Sequence, residues 1–140
     1  MATVRARSFE YAVSLDASWD ATSDRGGEPI PHDGRAWTPE HLLLVGLARC
    51  SLKALEYHAR RAGLTVTSEA NADGTVTRRD DDGRFAFVEI GVEARLTMPE
   101  PPVIEALREI VAKAERDCFV GASLTVKPRY TWLVNGEPTA

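Results

Sequence analysis

The stretch WTPEHLLLVGLARCSLKALEYHARRAG, residues Trp37–Gly63, decides the fold of this chain. Pro39 fits the first turn of a helix, and Gly63 can adopt the left-handed conformation that closes one. Nearly every side chain in the run Leu42–Ala48 is apolar, so no side of that run is marked for water. The stretch therefore predicts one long, buried helix with a single cysteine, Cys50, near its middle.

The segments on either side of this helix predict strands and turns. Alternating apolar residues over Ser8–Trp19 are typical of a half-buried strand. Asp20–Trp37 is rich in Gly, Pro, Asp and Ser, which predicts a loop or a weak hairpin, and loops of this length are often functional. Leu64–Thr77 and Phe85–Met98 predict a hairpin around the polar turn Arg79–Gly83. The second of its strands places its apolar residues on one face: Val88, Ile90, Val92, Ala94 and Leu96.

A second helix and a last strand are predicted for the C-terminal third. The prolines between Pro99 and Pro102 should end the sheet and open a helix that continues to about Arg116. Ser123–Val134 predicts a final strand, and Asn135–Ala140 is expected to be loose. The apolar stripe of the helix has the spacing i, i+3, i+4, i+7, i+11, and the second cysteine continues it: Leu107, Ile110, Val111, Ala114 and Cys118.

The predicted order is β-loop-α-β-β-α-β, which indicates an α+β fold. We expect the long central helix to pack against an antiparallel sheet. A chain of 140 residues is long enough to bury a core of its own, so we expect a single domain over residues 1–140.

Composition and charge exclude several functions. The chain has a net charge of −4, whereas binding to nucleic acid or to a membrane surface needs a basic face. The N-terminal sequence has no apolar signal-peptide core, and no run of about 18 apolar residues could span a bilayer. We therefore expect a soluble, cytoplasmic protein that binds neither nucleic acid nor membrane.

The two cysteines, Cys50 and Cys118, leave three chemical alternatives open. In a reducing compartment such thiols are core residues, metal ligands or redox groups. If the two helices pack side by side, the Cα atoms could come within the roughly 4–7 Å that a disulfide needs, but free cysteines also serve as small hydrophobes. Arg49 and Lys53 would lower the pKa of the Cys50 thiol if they face it, or remain solvated on the outer side of the helix.

No pattern in the sequence predicts a metal or a cofactor. The three histidines are isolated, and neither C-x-x-C nor H-x-x-x-H occurs: His32, His41 and His58. No G-x-S-x-G elbow marks a nucleophilic serine, and no glycine-rich phosphate loop is present.

Two cysteine-containing motifs stand out, TPEHLLLVGLARC at Thr38–Cys50 and AERDCFVGASL at Ala114–Leu124. In the OsmC/Ohr peroxidase family an N/T-P-E-x-L run precedes a helical cysteine, and a second cysteine follows an amphipathic helix as A-x-x-x-C-P-V-S-x-x-L. Both motifs resemble these signatures. The spacing of Glu40 and Cys50 agrees with the family, and so does the predicted order of elements over nearly the whole chain. The resemblance implies an OsmC-like fold.

The resemblance also implies an enzyme, a thiol-dependent peroxidase that reduces organic hydroperoxides, with inorganic peroxide as a further substrate. Cys50 would be the peroxidatic thiolate that becomes a sulfenic acid, and Cys118 the resolving thiol that forms a disulfide with it. A family arginine would stabilise the thiolate, and Glu40 would hold that arginine. Arg25 is the first candidate for this arginine and Arg35 the substitute. Dithiols, lipoylated proteins among them, would reduce the disulfide.

Two positions depart from the family pattern. Cys118 is followed by Phe119, Val120 and Gly121, where the family usually has Pro-Val-Ser. Arg49 stands where a small residue usually precedes the first cysteine.

The length of the helix adds a geometric argument. Ten residues of helix, about 15 Å, separate Glu40 from Cys50, so one arginine cannot join them within one unbroken helix. A second chain running antiparallel would bring its first turn beside Cys50 and would cover the apolar run. The sequence therefore predicts an intertwined homodimer in which Glu40 acts across the interface.

Two other functions fit the same scaffold. The dimer could bind a small apolar ligand beside the two thiols without turnover, since a fold does not determine function. The thiols could also be inert core residues of a structural dimer.

Overall fold

The computed structural model describes residues 6–140, which belong to two compact units, Met1–Pro39 and Glu40–Ala140. The predicted lack of a signal peptide rests partly on residues 1–5, which lie outside the described residues. The α+β class is confirmed. The single domain over residues 1–140 stays a prediction.

The N-terminal unit contains a short antiparallel hairpin. Its strands are β1, Val13–Leu15, and β2, Ala21–Ser23, and Ala21 also pairs with Ile30. The strand predicted over Ser8–Trp19 is therefore much shorter than expected. The segment Asp20–Trp37, predicted as a loop or a weak hairpin, contributes β2 and the Ala21–Ile30 bridge and is otherwise a loop. The alternating side chains are exposed rather than half-buried, 74% for Val13 and 62% for Leu15. Two strands of three residues offer no second layer against which these side chains could be buried.

The long helix is α1, Pro39–Arg61. Its buried residues recur every four positions and form one stripe: Leu47, Ser51, Leu55 and Ala59. Gly63 closes the helix with φ +74°, and the N–H of Leu64 donates to the carbonyl of Ala59 at 2.9 Å, as in a Schellman motif. The prediction that the whole run Leu42–Ala48 is buried is not met within one chain, because Leu42 is 44% exposed.

A four-stranded sheet with the order β3-β4-β5-β6 forms the other layer. Its strands are β3, Thr67–Arg78; β4, Phe85–Thr97; β5, Arg129–Val134; and β6, Glu137–Pro138. The β3–β4 hairpin was predicted at nearly these bounds, and β4 alternates as expected, with Ile90, Val92, Ala94 and Leu96 buried. On the wet face Arg95 pairs with Glu69, its cross-strand neighbour, at 3.0 Å.

The connection from β4 to β5 makes the sheet mixed. It runs through α2, Ile104–Arg116, and a single turn, α3, Phe119–Ala122. A crossover of this length returns the chain in the same direction, so β4 and β5 are parallel. The β3–β4 pair is antiparallel, as predicted, and so is the β5–β6 pair, which was not predicted.

The C-terminal residues are ordered in strand β6, which corrects the expectation of a loose tail. Asn135 and Gly136 both have positive φ, 52° and 84°, and form a two-residue turn between β5 and β6. Arg108 of α2 then donates from Nε to the carbonyl of Thr139 at 2.8 Å.

The core consists of two clusters along α1. One lies toward the C-terminal end of the helix and joins it to α2 and the sheet through Leu55, Leu96 and Trp132. The other lies beside the middle of the helix and consists of Leu47, Ile90, Val92 and Cys118. Within residues 6–140, none of the helices is long and apolar enough to cross a membrane.

Candidate functional site

Cys118 belongs to the second core cluster, and Cys50 packs against that cluster. Cys50 lies near the middle of α1, beside the buried stripe, and is half-buried. Cys118 follows α2, has no solvent exposure, and is the N-cap residue of α3. One thiol can therefore be reached from outside, while the other lies behind it in the core.

The first turn of α3 holds the two sulfur atoms side by side. The N–H of Val120 donates to Cys50 Sγ at 3.5 Å, and the N–H of Gly121 donates to Cys118 Sγ at 3.4 Å. The two thiols are neighbours, and both are free. The structure therefore places Cys50 and Cys118 near each other, which the sequence left conditional on the packing of the two helices.

Burial raises the pKa of the Cys50 thiol, and the neighbouring Cys118 adds to this effect. The N–H groups of Val120 and Phe119 act in the opposite direction. Arg49 and Lys53 are exposed on α1 and are not among the groups that shift this pKa. They are solvated charges, which was one of the two alternatives, and they do not activate Cys50.

Behind Cys118, Ser51 and Tyr130 form a hydrogen-bonded group. Ser51 Oγ donates to the carbonyl of Leu47 at 2.9 Å and also lies 3.2 Å from Tyr130 Oη and 3.5 Å from Cys118 Sγ. Ser51 has no solvent exposure, and the ring of Tyr130 stacks on Trp132. Burial, more than any neighbouring group, raises the pKa of Tyr130 to about 12, so this hydroxyl stays protonated.

Gly121 allows these groups to approach each other. A Cβ atom at this position would lie 3.1 Å from Tyr130 Oη and 3.4 Å from Cys118 Sγ. The departure from the family's Pro-Val-Ser therefore has a local cause, since the space of a side chain at residue 121 is taken by the Tyr130 hydroxyl.

Of the other predicted site residues, only Glu40 belongs to the same unit as the thiols, and it lies apart from them. Glu40 is exposed in the first turn of α1, and the helix from Pro39 to Arg61 is unbroken, so Glu40 lies about 15 Å from Cys50 along the axis. Arg25 and Arg35 belong to the N-terminal unit. Within that unit the Arg25 guanidinium lies 5.0 Å from the ring centroid of Tyr11. The roles of Glu40 and of either arginine stay predictions.

The histidines have structural partners or lie outside the thiol cluster. His58 Nε2 lies 2.7 Å from Asp117 Oδ2 and so links α1 to the residue that precedes Cys118. Hydrogen bonds from Arg116, which has the larger effect, and from His58 lower the pKa of Asp117 to about 2. In the part of the chain that the structure describes, no group of three or more His, Cys, Asp or Glu side chains could hold a metal ion.

Sequence reasoning missed Ser51, Tyr130 and Gly121. Ser51 had a usable signal, because it is a polar residue between Leu47 and Leu55 on the apolar stripe of α1. Tyr130 had none, since only the parallel pairing of β5 with β4 places it behind the cysteines.

The fold agrees with comparisons to known proteins. The family model for OsmC-like proteins matches residues 32–132. An OsmC-like protein of unknown function from Vibrio cholerae has a TM-score of 0.74 at 13% identity, over 90% of this chain and 100% of that chain. An OsmC-like protein from Mycoplasma pneumoniae gives 0.72 at 20% identity, over 91% and 97%. The organic hydroperoxide resistance protein OhrB of Bacillus subtilis gives 0.61 at 24%, over 90% and 98%. Among curated proteins, none matches the chain in sequence. Because the family model covers most of the chain and includes both cysteines, the chain belongs to the OsmC-like family.

Proposed function

We propose that this protein is a thiol-dependent peroxidase that reduces organic hydroperoxides. The observation that carries the proposal is the pair of free thiols, Cys50 half-buried and Cys118 fully buried, held side by side by two backbone N–H groups. The names of two similar structures, the Bacillus subtilis protein and one from Elizabethkingia anophelis, refer to organic hydroperoxide resistance.

The difference in exposure supports the following roles for the two thiols. The Cys50 thiolate attacks the peroxide O–O bond, takes up one oxygen as a sulfenic acid and releases an alkoxide that is protonated to the alcohol. Cys118 then attacks the Cys50 sulfur, the S–S bond forms, and the hydroxyl leaves with the Cys118 proton as water. A dithiol returns the pair to the reduced state and becomes a disulfide itself. We place the protein in the cytoplasm, where such dithiols keep thiols reduced.

A cation must be supplied to Cys50 for this chemistry, because burial raises its pKa and Arg49 and Lys53 do not act on it. We propose Arg25 for this role, with Arg35 as the substitute, held by Glu40. Since Glu40 lies about 15 Å from Cys50 along one unbroken helix, Glu40 has to come from a second chain. We therefore propose an intertwined homodimer whose sites each use both chains.

Mixing two inactive variants tests the shared site. Neither Glu40→Gln nor Cys50→Ser dimers should be active alone. After chain exchange, half of the dimers combine one chain of each kind, and each has one complete site, so activity should return to about a quarter of the wild-type value. Co-purification through two different affinity tags confirms that exchange took place. If the mixed dimers stay inactive, Glu40 does not act across the interface.

Thiol titration tests the peroxidase itself. One equivalent of an organic hydroperoxide should remove both free thiols of the wild type, and reduction by a dithiol should restore them. Cys118→Ser should stop at a sulfenic acid that a cyclic diketone traps on Cys50, and Cys50→Ser should not react. A wild type that keeps both thiols in the presence of hydroperoxide would refute the proposal.

A second candidate is a binding dimer that holds a small apolar ligand beside the thiols without turnover. The raised pKa of Cys50 favours it, because a protonated thiol is a poor nucleophile. In that case the thiols would react with a disulfide reagent but would survive hydroperoxide unchanged.

A further inference from the structure

The hydroxyl group of Ser51 lies at the centre of the contacts behind Cys118, and its hydrogen bonds can be assigned by counting hydrogens. A serine hydroxyl has one hydrogen and two lone pairs. The hydrogen is used, because Ser51 Oγ donates to the carbonyl of Leu47 at 2.9 Å. Tyr130 Oη at 3.2 Å and Cys118 Sγ at 3.5 Å must therefore both donate to Ser51 Oγ. In the reduced protein the Cys118 S–H thus points at Ser51.

This arrangement has to change when Cys118 loses its proton. A thiolate with no solvent exposure cannot be stabilised by water and needs donors from the protein. Gly121 N–H already donates to Cys118 Sγ at 3.4 Å. The Ser51 hydroxyl can supply a second hydrogen bond by turning about its C–O bond from Leu47 to the sulfur. Tyr130 remains a donor to Ser51 Oγ throughout, because its hydroxyl stays protonated.

We propose that Ser51 is a catalytic residue of disulfide formation, that Tyr130 is the positioning residue that holds it, and that neither acts in the first attack by Cys50. The role of Ser51 rests on the proposed peroxidase function in one respect: the natural target of Cys118 is the sulfenic acid on Cys50. No proton is gained or lost by Ser51 or Tyr130. The Cys118 proton leaves with the departing group, while the Ser51 hydrogen bond stabilises the thiolate until the S–S bond has formed.

The attack of Cys118 on the Cys50 sulfur can be measured without any hydroperoxide, in a reaction that has two phases. A chromogenic aromatic disulfide reacts first with the accessible Cys50, which releases one aromatic thiolate and leaves a mixed disulfide. Cys118 then attacks the Cys50 sulfur, the bond to the aromatic sulfur breaks, and a second thiolate is released. Cys118→Ser should show the first phase only, which assigns the second phase to Cys118.

Ser51→Ala and Tyr130→Phe should leave the rate of the first phase unchanged and slow the second. Loss of a hydrogen bond to a charged group corresponds to a decrease of roughly ten- to hundredfold for Ser51→Ala, with a smaller effect for Tyr130→Phe. Because Tyr130 acts through Ser51, Tyr130→Phe should slow the second phase much less in a Ser51→Ala background. Thr131→Val removes an exposed hydroxyl from the next residue of β5 and is the matched control, with both phases unchanged.

The pH dependence of the second phase distinguishes this role from a merely structural one. In both variants its midpoint should move to higher pH, since the Cys118 thiolate loses the Ser51 hydrogen bond in Ser51→Ala and keeps a less well positioned one in Tyr130→Phe. The titratable groups that face the cluster are Cys50 and Tyr130, with Glu115 acting on Tyr130. Tyr130→Phe deletes a single oxygen atom and keeps the stacked ring, so it tests the role even if Ser51→Ala fails to fold.

Two results would overturn the inference: a second phase that is as fast in both variants as in the wild type, with an unmoved pH midpoint, or a wild type that releases only one aromatic thiolate. Inertness toward hydroperoxide is a different outcome. It would refute the peroxidase function, and a selective slowing of the second phase would still support the roles of Ser51 and Tyr130.

Discussion

Replacing Gly121 with alanine should destabilise the protein, and the Tyr130 hydroxyl should be the cause. The added Cβ would lie 3.1 Å from Tyr130 Oη, 3.4 Å from Cys118 Sγ and 3.6 Å from Leu47 Cδ1. The first distance is shorter than a normal van der Waals contact, so Tyr130 or α3 must move by a few tenths of an ångström. Overpacking of this kind costs about 1–3 kcal/mol, whereas alanine gains up to about 1 kcal/mol over glycine in a helix. We expect a net loss of about 1–2 kcal/mol.

Urea unfolding measures this loss. At a typical slope of about 1–3 kcal/mol/M, the midpoint should fall by roughly 0.3–2 M with the slope unchanged. The matched background is Tyr130→Phe, which removes the oxygen atom that the Cβ would meet. In that background Gly121→Ala should lose most of its cost, because the next contacts lie at 3.4 Å and 3.6 Å. An equal loss of stability in both backgrounds would refute the assignment of the cost to the Tyr130 hydroxyl.

Three further predictions follow from the charges and exposures of the site. Arg116 and His58 lower the pKa of Asp117 to about 2 in the folded protein, whereas it is about 3.9 in the unfolded chain. The Asp117 carboxylate therefore stabilises the fold at every pH above about 3.9, and this stabilisation is lost as the pH falls toward 2. Asp117→Asn should therefore lower the urea midpoint at pH 7 and make it less sensitive to acid, and a midpoint unchanged at pH 7 would contradict this. Burial raises the pKa of Cys50. The rate at which Cys50 reacts with the aromatic disulfide should therefore continue to increase with pH above about 8.5, the pKa at which the rate of an ordinary thiol levels off. Leu42 is 44% exposed in one chain, so Leu42→Lys should convert the proposed dimer to monomers in sedimentation, and an unchanged mass would argue against α1 as the dimer core.

The elements with strong local signals could be predicted from the sequence. Pro39 and Gly63 mark the two ends of α1, and the structure begins and closes the helix at these residues. Successive side chains of a strand point to opposite faces of the sheet, so the alternation of apolar and polar residues in β4 was enough to predict its buried face correctly. In each case a residue and its near neighbours in sequence contain the information.

The elements that depend on distant residues could not be predicted in this way. The parallel pairing of β4 with β5 is decided by the path of the α2 crossover, and the position of Tyr130 follows from that pairing. The turn at Asn135-Gly136 was a local signal that was overlooked, since this dipeptide is a strong predictor of a two-residue hairpin. The length of β1 was overpredicted because alternation alone does not supply a layer for the strand to pack against.

Gly121, which stands where the family usually has serine, and Ser51, the polar residue after Cys50, have one structural explanation. With glycine at residue 121, Tyr130 Oη can approach to 3.1 Å from where a Cβ atom would otherwise lie, and from there it reaches Ser51 Oγ at 3.2 Å. A side chain at residue 121 would push that hydroxyl away and leave Ser51 with the Leu47 carbonyl and Cys118 Sγ. Gly121, Ser51 and Tyr130 therefore depend on each other, although they come from three separate elements. A serine in place of Gly121, which would restore the family's usual residue, should consequently impair this protein unless Tyr130 changes with it.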